Sequence, residues 1–240
     1  MKRLTEAWFT FKGVDSRDMG IFIRSMPIRH MPGRNYTHKK ISGMDGSFRS
    51  GDGSYNDVRV QLECDIPIAV NIAAVVGWLS GDGELVFSDE PTLAYDAAVE
   101  KEFSRSSIIA KLAGQRFTIT WLCAPFRRMI PAAEPIVIAA PGSFSNPGTV
   151  YSLPKITVSA HGDFSVSINQ QTMFFSDVAE GIVLDSELVD AFALDESVTV
   201  NERVYGEFFR LNPGVNMIDW AVEDGSAVES ITIEPRWRCI

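Results

Sequence analysis

Histidine and cysteine, the side chains on which much enzyme and metal chemistry rests, are scarce: three of each in 240 residues. His30, His38 and His161 stand outside any His-Glu-x-x-His or His-x-His setting, so none marks a metal site. Cys64, Cys123 and Cys239 are far apart and odd in number. They fit neither a disulfide framework nor a zinc site, and point to folding in a reducing cytoplasm. Basic charge is also in deficit, with 22 Lys and Arg against 31 Asp and Glu for a net −9. That balance argues against a protein that coats nucleic acid, where clustered cations must neutralise phosphates.

Other absences narrow the field further. There is no Gly-x-Ser-x-Gly elbow, no Gly-x-Gly-x-x-Gly and no Gly-Lys-Ser/Thr. The glycine-rich run Gly43 to Gly53 lacks the strand before it and the helix after it that a phosphate cradle requires. Asp45, Asp52 and Asp57 are not spaced like calcium-loop ligands. The most apolar stretch, Ile66 to Leu79, is too short to span a bilayer and contains Asn71. Met1-Lys2-Arg3 runs into Leu4-Thr5-Glu6 without an apolar segment, so no secretory leader is expected. One carboxylate cluster remains: Asp185-Ser186-Glu187 with Asp190 could pair for glycoside hydrolysis. A polar loop between strands accounts for the same residues. No catalytic, cofactor-binding or metal-binding residue is assigned, and the chain is expected not to be an enzyme.

What is present is β patterning. Ala7 to Lys12 and Ile21 to Arg24 read as strands, and Asp57 to Cys64 alternates with Val58, Val60, Leu62 and Cys64 on one face. One helix is predicted over Pro67–Leu79, with Ile68, Ile72, Val75, Val76 and Leu79 in a stripe, closed by Ser80-Gly81-Asp82-Gly83. Glu84–Phe87 and Arg116–Trp121 are further strands, while Tyr95–Ile109 reads as helix or strand. Pro125–Pro154 is proline-rich, and a domain boundary is placed there, giving 1–135 and 136–240. Beyond it come short strands only, with a turn at His161-Gly162-Asp163, a strand at Tyr205–Phe209, and Trp220 on the core side of Met217–Trp220. That spacing suggests a β-sandwich.

Charge is unevenly distributed. Arg24 to Arg49 holds six basic residues and one acid, Asp45, whereas Asp177 to Glu229 holds thirteen acids and two bases. Either the two regions face different partners, or face one another between subunits, or each is a solvated face. Pro27 to Asn56 is glycine-rich, basic and poor in apolar residues, and is expected to form a projecting hairpin that needs a partner. Arg29, Arg34, Lys39, Lys40 and Arg49 are the candidate contacts.

Five segments in order resemble the distal tail protein (Dit) family of long, non-contractile phage tails. They are Phe11-Lys12-Gly13-Val14-Asp15-Ser16-Arg17-Asp18-Met19-Gly20-Ile21, then Gly77 to Pro91, Gly181 to Glu187, Phe209 to Ile218, and Glu234-Pro235-Arg236-Trp237-Arg238. Pro125–Pro154 matches no part of the pattern. The resemblance implies an N-terminal belt domain, a β-sandwich with one helix and a long hairpin, closing as a hexameric ring. It also implies a C-terminal sandwich like those of galectins and carbohydrate-binding modules. The implied partners are the major tail tube protein, the tail hub or tail-associated lysin, the tape measure and receptor-binding proteins. The implied location is the virion tail tip, after assembly in the bacterial cytoplasm, with no membrane and no cofactor. A second reading from another class is a carbohydrate-binding module that contacts host cell-wall saccharide.

Overall fold

The computed structural model describes residues 6–67, 71–100 and 115–240. The chain is mainly β and divides into two compact units, one within the chain up to Ile130 and the other Pro131–Cys239.

In the first unit, β1 (Phe9–Phe11), β2 (Val14–Asp15) and β3 (Phe22–Ile23) are followed by a separate pair, β4 (Thr37–Lys39) and β5 (Phe48–Ser50). Then come β6 (Val58–Ile66), α1 (Ile72–Trp78), β7 (Asp82–Phe87), β8 (Leu93–Val99), β9 (Gln115–Cys123) and β10 (Arg127–Met129). The main sheet runs β2-β1-β7-β8-β9-β6-β3, with β10 beside β8. In β6 the expected alternation holds: Val58, Val60, Leu62 and Cys64 are buried, and Arg59, Gln61 and Glu63 are exposed. The stretch left open between helix and strand is strand over Leu93–Val99; its continuation from 101 to 109 lies outside the described residues.

The helix is shorter than the pattern suggests. It begins at Ile72 because Asn71 caps it, its Oδ1 accepting the Ala74 N–H at 3.3 Å. Ile68 lies outside the described residues. Val75, Trp78 and the following Leu79 are the buried positions, so an indole joins the apolar stripe where aliphatic residues alone were expected. Trp78 stacks on Phe9 with centroids 5.5 Å apart, and its Nε1–H donates to the Phe11 carbonyl at 2.8 Å. Phe9, Phe11, Phe87 and Trp121 complete an aromatic core beneath the helix.

The second unit contains β11 (Ile136–Ile138), β12 (Gly142–Asn146), β13 (Lys155–Ile168), β14 (Gln171–Val178), β15 (Ile182–Asp185), β16 (Asp190–Ala193), β17 (Val204–Tyr205), β18 (Gly214–Val222) and β19 (Ala227–Glu234). Strand β13 belongs to two layers. Its first half pairs with β19 and β15, its second half with β14 and β18. The expected turn at His161-Gly162-Asp163 is therefore a bend within one strand. Gly162, at φ +81°, and register shifts at Ser159/Ala160 and Gly162/Phe164 allow the crossing. Side-chain parity survives the bend: Ile156, Val158 and Ala160, then Phe164, Val166 and Ile168, all point into the core.

Three other expectations are corrected. The proline-rich stretch Pro125–Pro154 contributes three strands, because Arg127–Met129 pairs with β8, Ile136–Ile138 with β19 and Gly142–Asn146 with β18. The strand expected over Tyr205–Phe209 stops at Tyr205, since Gly206 turns the backbone to φ +137°. Trp220 is only half-buried, and the inward positions of β18 go instead to Ile218 and Asn216. The fully buried Asn216 is satisfied locally. Its Nδ2 donates to the carbonyls of Asn212 (2.8 Å) and Gly214 (3.0 Å), and its Oδ1 accepts from Asn212 N and Asn169 Nδ2 (2.9 Å each). This clamp explains the Asn-Pro-Gly-Val-Asn sequence as a turn that supplies its own buried acceptor.

Candidate interaction surface

The β4–β5 hairpin forms a two-stranded sheet of its own, with Thr37 opposite Ser50, His38 opposite Arg49 and Lys39 opposite Phe48. Its root is well built. Arg34 bridges to Tyr55, lays its guanidinium over that ring at 4.3 Å and donates to the Gly53 carbonyl at 3.0 Å. Tyr55 in turn meets Phe126 edge-on at 5.0 Å. Asn35 and Asn56 add backbone bonds to Ser54 and Gly33. Gly51 is required there: a Cβ would come within 2.7 Å of the Asn35 carbonyl oxygen.

Beyond the root, both hairpin faces are open to solvent. Tyr36, Ile41, Met44 and Phe48 are 44–55% exposed, and Ile28 and Met31 on the approach are more exposed still. Among the described residues of the first unit, the only other exposed large hydrophobic side chain is Val14. A two-stranded ribbon is marginally stable alone, and a cluster of uncovered apolar side chains on one is characteristic of a contact surface.

The five candidate cations divide into two groups. Arg29 is held by its own unit, bonding both Asp89 oxygens (2.6 and 2.8 Å), pairing with Glu90 at 2.8 Å and lying over the Phe87 ring. The Arg29 guanidinium beside Asp89 holds that carboxyl below its ordinary range. Arg34 is the root brace. Lys39, Lys40 and Arg49 are exposed on the hairpin, and no ion pair among the described residues uses them. Sequence reasoning did not separate these groups, because the partners of Arg29 lie sixty residues away.

The carboxylate cluster resolves differently. Asp185 is buried and receives two hydrogen bonds from Arg236, 2.8 Å each, plus the backbone N–H groups of Glu187 (3.0 Å) and Leu188 (3.2 Å). Burial pushes its pKa up, but Arg236 and the two N–H groups outweigh that and hold it below the ordinary value. Glu187 shares Arg236 at 3.1 Å, and Asp190 Oδ1 accepts from Asn201. A carboxylate stabilised as an anion in this way is a poor proton donor, and the arrangement is that of a structural ion pair. His38 Nδ1 lies 3.3 Å from Ser47 Oγ, His30 is exposed, and His161 sits exposed on β13. No cluster of three or more His, Cys, Asp or Glu suited to a metal occurs among the described residues. No helix among them is long and apolar enough to cross a membrane.

No protein-family model matches the chain, and no curated protein matches it. Among solved structures, the fold is similar to that of the SPP1 Dit (gp 19.1) protein, described as a paradigm of the hub adsorption apparatus in phages that infect Gram-positive bacteria. The TM-score is 0.70 over 95% of this chain and 97% of that one, with 14% sequence identity. The likeness is one of fold, and it extends through both units.

Proposed function

We propose that this chain is a structural subunit of a phage tail tip, closing as a hexameric ring that joins the tail tube to the fibre or lysin hub and anchors receptor-binding proteins. The observation that carries this reading is the hairpin, whose apolar and basic side chains find no cover within their own unit. A head-to-tail contact repeated by rotation closes into a ring when the angle divides the circle. Such a contact would cover Phe48, Met44 and Ile41 and bring Lys39, Lys40 and Arg49 to an acidic surface of a neighbour or of the tail tube. The fold shared with the SPP1 protein supports the same reading.

Arg29 and Arg34 serve the hairpin's attachment, so the contact is tested at its outer part. Light scattering of the full chain should give a sixfold mass. Met44→Ser with Phe48→Ser, or charge reversal at Lys39, Lys40 and Arg49, should give monomers with unchanged circular dichroism. A wild-type chain that stays monomeric at high concentration, with the hairpin protected from protease, would overturn the reading.

A further inference from the structure

A head-to-tail contact that repeats from copy to copy needs two different surfaces on each chain, one that gives and one that receives. The hairpin is the giving surface. Its register sets Lys39 directly opposite Phe48, and opposed residues in an antiparallel pair share one face, with Cβ atoms about 5 Å apart. Phe48 is half exposed, and Ile41 and Met44, in the turn between the two strands, are open as well. A surface that receives this ribbon must offer an apolar hollow with carboxylates at its rim.

The second unit has such a hollow, about 420 Å³, at the end of β14 beside β15, β16 and the short 3-10 turn Asn201–Arg203. Ile182, Leu194 and Val200 give it apolar wall, and the exposed Glu180 and Asp195 stand at its rim. The wall is firmly built. Gly181, at φ +129°, lets Leu194 lie close, since a Cβ there would come within 3.3 Å of a Leu194 methyl carbon and 2.8 Å of the Val158 carbonyl oxygen. The turn that carries Leu194 and Asp195 is closed by the Ala193 N–H, which donates to the Val198 carbonyl at 2.9 Å, and by Lys155, which holds Glu196 at 2.7 Å. Two residues from Arg203, Tyr205 stands opposite Phe174 across β14 and β17, both exposed, and adds apolar surface next to the hollow.

Charge decides what the hollow takes. Glu180 and Asp195 appear in no ion pair among the described residues. Arg203, the cation on its lining, is already matched: it donates to the Asp177 carbonyl at 2.6 Å and lies 3.9 and 4.0 Å from the carboxylates of Asp177 and Glu202. The chain around it, from Asp177 to Glu229, holds thirteen acids and two bases. In the hollows of the first unit, by contrast, Arg29 and Arg127 accompany Glu90, and Arg59 accompanies Glu63. We infer that the hollow of the second unit receives the hairpin of a second copy, with Phe48 inside it and Lys39 on the carboxylates of Glu180 and Asp195. The inference rests on the ring reading above and names the surface that receives the hairpin. A phenyl ring fits the volume, leaves water for the Leu194 wall, and presents its face to the Arg203 guanidinium. The hairpin cations and the acidic surround attract one another during approach and fix the register of the contact.

The test is the mass of the full chain by light scattering, at one concentration for every variant. Glu180→Lys with Asp195→Lys should turn the oligomer into monomers. Ala179→Trp, which fills the hollow from an exposed loop position, should do the same. Both should keep the circular dichroism and melting temperature of the wild type. Lys39→Glu with Lys40→Glu should also give monomers, and the chain that combines the two charge reversals should regain the oligomeric mass. A wild-type oligomer that survives both pocket variants overturns this inference and leaves the ring reading standing. Dissociation without rescue in the combined chain overturns it too, since loss of acidic charge alone then accounts for the pocket variants. A wild-type monomer overturns both readings together.

Discussion

The guanidinium of Arg236 meets the carboxylate of Asp185 in a two-point bond, 2.8 Å at each contact, between residues 51 positions apart in the chain. The carboxylate side chain is 7% exposed and the arginine 31%, so the pair is buried on one side and wet on the other. It ties the start of the acidic loop after β15 to the last residues of the second unit.

Removing the charge should be felt in acid. Asp185→Asn is expected to cost about 2 kcal/mol, less than for a fully buried pair because Arg236 is partly solvated. Asp185 has a lowered pKa in the folded state. The unfolded chain therefore binds the proton more readily, and the stability from this group is present above about pH 4 and lost as pH falls below it. Thermal melts from pH 7 to 3 should show a shallower acid decline in Asp185→Asn than in the wild type. Identical declines would assign the acid sensitivity elsewhere, for instance to Asp89 or Asp15, which shift in the same direction.

Trp78 joins α1 to the sheet by a ring stack and one hydrogen bond. Trp78→Phe keeps most of the stack and leaves the Phe11 carbonyl without that donor, costing about 1–2 kcal/mol. Trp78→Ala also opens a cavity and should cost about 3–5 kcal/mol. Denaturant titrations that find the two equal would show that packing contributes little here.

The bend in β13 gives a paired test. Gly162→Ala puts a Cβ into Ser226 while holding φ at +81°, and is expected to cost about 2–4 kcal/mol. Gly225→Ala has a similar φ of +84° but open space around it, so backbone strain alone should cost about 1–2 kcal/mol. Equal melting temperatures for the two would mean that close approach to Ser226 is not what requires glycine.

Burial pushes the Cys123 thiol up to about 12 and Cys64 further in the same direction. Since the thiolate is the reactive form, neither should label in the folded state. With a maleimide at neutral pH and mass spectrometric readout, only the half-buried Cys239 is expected to react until denaturant is added. Rapid native labelling of Cys123 would show that the first unit opens locally.

Several of these features can be read along the chain. The alternation from Val58 to Cys64 is legible because one face of β6 packs on the aromatic core. The bend at His161-Gly162-Asp163 is not legible as a bend. The same three residues close a hairpin equally well, and only pairing with β14, β15, β18 and β19 makes them the middle of a single strand. Arg29 likewise reads as one more cation of a basic arm until Asp89 and Glu90 are found beside it.

The sequence by itself determined a mainly β chain, an arm too poor in apolar residues to build a core, and a lack of motifs for familiar catalysis. Those properties depend on composition and on the periodicity of near neighbours. The tertiary structure alone decided which cations remain available on the hairpin, why Asp185 is an anion in a structural pair, and that Phe174 and Tyr205 stand side by side in solvent. Each of these depends on strand register, which is set by burial across two layers and joins residues that are remote in sequence.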